Sequence, residues 1–80
     1  GYVYAAMTNY SPGGMYMKAD EYLDVGQNLV IRMEEYDPLS KGPEKYDYYY
    51  GSVKWIKHFH TEPYDSAYGY GIEYDQPVMF

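Results

Sequence analysis

Eighty residues are enough for one domain with one core, and a chain this short buries only about 60% of the surface its unfolded form exposes. Twelve acidic residues against 6 basic ones give a formal charge of −6, opposite in sign to a generic DNA, RNA or anionic-membrane binder, and the lack of Cys removes disulfides, Cys-based zinc sites and thiol catalysis together. No apolar run reaches the roughly 18 residues a membrane span needs, so the expectation is a cytoplasmic chain with no membrane insertion, forming a single domain over residues 1–80.

The first predicted element is a strand over residues 2–9, with Val3, Ala5 and Met7 on one face. It begins at Gly1 inside a strand-like run, which suggests that something is missing upstream. The segment Ser11-Pro12-Gly13-Gly14 predicts a type II turn, with Pro at the second position and Gly13 at the position that needs positive φ. Met15 and Met17 then alternate with Tyr16 and Lys18 in a second strand that pairs back on the first. Residues 19–27 are acidic and end near a Gly, and read as a connection pinned by Leu23 and Val25.

Leu29, Ile31 and Met33 alternate with Val30, Arg32 and Glu34 in a third, half-buried strand. The Pro- and Gly-containing stretch from Asp37 to Glu44 predicts a long hairpin loop without regular structure, exposed and mobile at its tip. A long strand follows from Tyr46 to His60, bent by a bulge or a close backbone approach at Gly51. Period two puts Val53, Trp55, Lys57 and Phe59 on one face and Ile56, His58 and His60 on the other, with Val53 and Trp55 inward. After a polar loop, Tyr70 to Tyr74 form a last strand with Ile72 and Tyr74 inward, and Pro77 closes the domain. Five strands with no helix make an all-β chain. Because 14 of the hydrophobic residues are Tyr, each with a hydroxyl to satisfy, the aliphatic core is thin.

Four pieces in this order carry a resemblance: Met7-Thr8-Asn9-Tyr10-Ser11-Pro12-Gly13-Gly14-Met15-Tyr16-Met17, Leu23-Asp24-Val25-Gly26 before Leu29-Val30-Ile31, Gly51-Ser52-Val53-Lys54-Trp55, and Gly69-Tyr70-Gly71-Ile72-Glu73-Tyr74. The pattern resembles the PilZ family across residues 2–75. That resemblance implies a small antiparallel β-barrel of bacterial signalling proteins that bind cyclic di-GMP, here with its first strand upstream of Gly1. Closing a sheet into a barrel also removes its unpaired edges.

The family's [D/N]xSxxG turn maps onto Asn9, Ser11 and Gly14 as the ligand-binding residues. Asn carries both a donor and an acceptor for a purine edge, Ser a short hydroxyl, and Gly leaves space for close approach. Taken without the family, Asn9 and Ser11 instead read as local partners of backbone groups in an Asx-type turn. The family's RxxxR motif, which grips guanines and phosphates, is not here: only eight residues precede Asn9, none of them Arg, and Arg32 is the sole Arg of the chain. Without such guanidinium forks the chain alone is expected to bind the dinucleotide weakly or not at all, and cyclic di-GMP binding is conditional on an upstream RxxxR segment.

The alternative is a degenerate PilZ-like module that binds no nucleotide and docks a protein partner through its acidic, Tyr-rich surface. His58, His60 and Glu62 share strand spacing, but no fourth ligand can be named, so neither a metal nor another cofactor is assigned. No nucleophile stands with a positioned base, so the chain is not read as an enzyme.

Overall fold

The computed structural model describes residues 2–59 and 67–80. The chain is all-β: β1 (Ala5–Ser11), β2 (Gly14–Ala19), β3 (Asn28–Arg32), β4 (Tyr48–His58) and β5 (Tyr68–Tyr74) form one antiparallel sheet in the order β1-β2-β5-β4-β3. The described residues contain no helix long and apolar enough to cross a membrane.

The core lies on one face of this sheet, where alternation from neighbouring strands agrees. Met15 and Met17 on β2, Tyr70, Ile72 and Tyr74 on β5, and Tyr49 and Val53 on β4 are buried there, with Ala19, and Leu23 folds over from the β2–β3 connection. Three of these core residues are Tyr, as a Tyr-rich composition requires, and two of the hydroxyls are satisfied. Tyr70 Oη accepts from the Leu23 N–H at 2.7 Å and donates to the Glu21 carbonyl at 2.6 Å, while the Tyr49 hydroxyl donates to the Pro43 carbonyl. Tyr74 Oη is buried without a partner among the described residues. Burial pushes the phenols of Tyr49 and Tyr74 up to about 12, Tyr49 also by the facing Tyr74, Tyr46 and Glu44.

The sheet is open rather than a closed barrel. β1 and β3 are its two edges, and between them lies a groove of about 460 Å³ with Ala5, Met17, Leu23, Leu29 and Ile31 in its lining. Closure requires the first and last strands to pair along their length. Here β3 is only 5 residues long and residues 2–4 form no strand, so neither edge finds the other.

Several local expectations change. Gly26 is the only described Gly with positive φ, so Gly13 does not form a type II turn. The turn is held instead by the C-terminal segment: the Tyr74 N–H donates to the Gly13 carbonyl at 2.9 Å and the Val78 N–H to the Pro12 carbonyl at 2.8 Å. Val25 is exposed, leaving Leu23 as the sole pin of its connection. The loop after β3 contains a short 3-10 turn, Pro43–Lys45, with Pro43 buried. It is laced by bonds from Asp37 N–H to the Glu44 carbonyl, Ser40 N–H to the Asp37 carbonyl and Gly42 N–H to Ser40 Oγ, so it is not without structure, while its tip at Leu39 is exposed as the composition predicts.

The largest change concerns β4. Its register with β5 runs Val53 to Ile72 and then Trp55 to Gly71, which makes Lys54 an extra, bulged residue. From there onward every side chain changes face relative to strict period two. Trp55 therefore leaves the core face and is 47% exposed on the other, while Ile56 turns inward. Gly51 is not the bulge: a Cβ there would meet the Glu73 carbonyl, so it is glycine because β5 passes close by.

Candidate functional site

The outer face of the sheet is best read as rows of side chains crossing β1, β2, β5 and β4, set by the pairing register. One row is Ser11, Gly14, Glu73 and Ser52; the next is Asn9, Tyr16, Gly71 and Trp55; the third is Ala6, Lys18, Gly69 and Lys57. On β2 and β5 successive rows are two residues apart, about 7 Å.

Asn9 reaches this face through a second bulge. β1 pairs Met7 with Met17 but Asn9 with Tyr16, so Thr8 is the extra residue. Strict alternation would have put Asn9 on the face of Met7. Two bulges, in the edge strand β1 and in β4, thus bring Asn9 and Trp55 onto the same face.

The middle of the second row is glycine for a reason. A Cβ at Gly71 would collide with the Trp55 indole and one at Gly69 with the Tyr16 ring, so both aromatics lie over a trough in β5. Their rings stack, with centroids 5.5 Å apart and planes inclined at 23°. Asn9, Ser11, Gly14, Tyr16, Trp55 and Glu73 help to line a shallow depression of about 300 Å³ on this face.

All three sequence-predicted residues are therefore together, with distinct roles. Asn9 Oδ1 accepts from the Tyr10 N–H at 2.8 Å and Ser11 Oγ from the Gly13 N–H at 3.3 Å, which is the local use of such side chains in turns. Each bond uses an acceptor oxygen. Among the described residues the Asn9 amide N–H groups and the Ser11 O–H donate to nothing, and donors are what an anionic ligand requires. Gly14 has a structural duty of its own, since a Cβ there would run into the Ile72 carbonyl across the β2–β5 pair.

Lys54 and Glu73 pair at the edge of the depression, both side chains well exposed. His58 lies on the core side with its ring stacked on Tyr68 at 4.8 Å; His60 and Glu62, its partners in the predicted strand spacing, fall outside the described residues.

The sequence reading missed Tyr16, Trp55 and the two lysines of the third row. A usable signal was present in Gly69-x-Gly71: two glycines on one strand face leave a trough that neighbouring aromatics fill. No protein-family model, characterised protein or solved structure matches the chain.

Proposed function

We propose that this chain is a PilZ-type receptor or adaptor module of bacterial second-messenger signalling, cytoplasmic, that binds cyclic di-GMP at the outer face beside the Asn9–Gly14 turn. The supporting observation is that two bulges bring the N-x-S-x-x-G turn and a partly exposed Tyr16–Trp55 stack onto one face. The stack offers a planar apolar surface for a base, worth about 1–3 kcal/mol per base stacked, and the free donors of Asn9 and Ser11 suit base or phosphate oxygens. In this proposal an arginine-bearing segment contributes further charge compensation, and an additional strand closes the sheet along the groove between β1 and β3 into a barrel.

Calorimetry with cyclic di-GMP on this chain and on one extended upstream tests the proposal. Saturable binding that Asn9→Ala with Ser11→Ala removes is the expected result. Absence of heat from both chains, or binding indifferent to that double substitution, would overturn it.

A second proposal, docking of a protein partner without nucleotide, draws support from the opposite end of β4. Tyr48 and Tyr50 are exposed and packed edge to face at 5.4 Å beside a groove of about 570 Å³ that Tyr46, Tyr49 and Tyr74 also line. Exposed aromatic clusters of this kind are typical anchors of protein interfaces.

A further inference from the structure

The chain's net charge of −6 hides an uneven distribution. Of its six cationic side chains, Lys18, Lys54 and Lys57 stand on or beside the rows of the outer face. Lys54 is neutralised by Glu73. Lys18 and Lys57 are not ion-paired with any described residue; they flank Gly69 from the two strands beside it, in the row next to Tyr16 and Trp55.

Both are gathered by one ring. Lys18 Nζ lies 5.1 Å and Lys57 Nζ 5.3 Å from the centroid of Phe59, which follows the end of β4. The Phe59 ring thus attracts both ammonium groups to the same end of the outer face. Two held like charges repel, and an anion placed between them relieves the repulsion. Asp20, just beyond the end of β2, accepts from the Ala67 N–H at 3.3 Å.

We propose that Lys18 and Lys57 form an anion subsite that receives a phosphate group of the nucleotide whose base lies against Trp55. For its ligand this rests on the cyclic di-GMP proposal above; for its geometry it rests on the third row alone. The spacing suits it, because one row separates the aromatic surface from the cations, about 7 Å, which is the scale of a nucleotide's base-to-phosphate reach. Lysine serves here as a point charge for phosphate, without the bidentate geometry of arginine. This pair supplies within the chain part of the compensation whose absence made tight binding unexpected from the sequence.

The test is calorimetry with cyclic di-GMP over a series of salt concentrations on three proteins that circular dichroism shows to be folded. These are the wild-type chain, Lys18→Gln with Lys57→Gln, and Lys41→Gln with Lys45→Gln, which removes the same charge from the β3–β4 loop. The first double substitution should weaken binding by about tenfold or more and lower the slope of log Kd against log salt by about 1 to 2, while the second changes Kd less than about threefold. Wild-type affinity and slope in the Lys18/Lys57 variant, or an equal loss in the loop variant, would overturn the subsite and leave the cyclic di-GMP proposal standing. If the wild-type chain takes up no cyclic di-GMP, that proposal is left to the chain extended upstream, and titration with 5′-GMP followed by amide chemical shifts decides the subsite. Shifts concentrated at Lys18, Lys57 and Gly69 support it, and their absence overturns it.

Discussion

The two faces of this sheet are made by the same strands and obey different rules. On the inner face, size decides: Met15, Met17, Val53, Tyr70 and Ile72 fill space against one another and are almost wholly buried. On the outer face, vacancy decides, because Gly69 and Gly71 leave a trough and Tyr16 and Trp55 lie over it while staying partly exposed. An apolar residue's type therefore does not say which face it serves. Trp55, the bulkiest side chain in the protein, works on the surface, whereas three tyrosines with polar hydroxyls make the core.

The sharpest way to break the contrast is at Tyr70, which is fully buried. Tyr70→Ala should cost about 3–5 kcal/mol in denaturant unfolding, enough to leave a domain of this size largely unfolded. Tyr70→Phe keeps the volume but strands the Leu23 N–H and the Glu21 carbonyl, and should cost about 1–3 kcal/mol. Gly14→Ala probes a residue that belongs to both faces. Its new Cβ meets the Ile72 carbonyl, so a loss of about 1–3 kcal/mol in stability is expected without any ligand. A binding defect in that variant would therefore not identify Gly14 as a ligand contact.

The buried phenols give the core a pH signature. Tyr49 and Tyr74 titrate near 12 when folded and near 10.0 when unfolded. Their stabilising contribution is complete below the unfolded value and is lost as pH climbs through the folded one. Unfolding free energy should fall between about pH 10 and 12, and Tyr74→Phe should make that fall shallower; an unchanged alkaline slope would show that the ring is not buried as described.

Outer-face substitutions should separate binding from stability. Trp55→Ala is expected to cost no more than about 1.5 kcal/mol in stability, yet to remove most cyclic di-GMP binding. Because Trp55 is the single Trp, its fluorescence reports directly on that face. The smallest effect is expected from Lys54→Gln, whose exposed pair with Glu73 should contribute less than about 0.5 kcal/mol.

The strands were legible because Met15/Met17 and Ile72/Tyr74 keep period two without interruption, and the β1–β2 hairpin because Pro12 and Gly13 interrupt it. The bulges were not. Neither Thr8 nor Lys54 is a glycine, and a bulge that needs no positive φ leaves no mark in residue type. The obvious candidate, Gly51, owes its identity to the Glu73 carbonyl instead. One unseen extra residue was enough to assign Trp55 to the wrong side, and with it the half of the candidate site that lies on β4. Closure failed to appear for a different reason, since pairing between distant edges depends on strand lengths that local patterns do not set. The tether between the turn and Val78 was likewise invisible, being a contact between backbone groups.

The bulge at Lys54 has a consequence at the level of single codons. Losing the Lys54 codon would leave Val53 inward, Trp55 outward and Ile56 inward in an unbroken strand, so the domain should tolerate that deletion. Losing the nearby Ser52 codon would instead turn Val53 out and Lys54 in, putting a charge into the core. The length of this strand, more than the identity of its residues, is what assigns each side chain to its face.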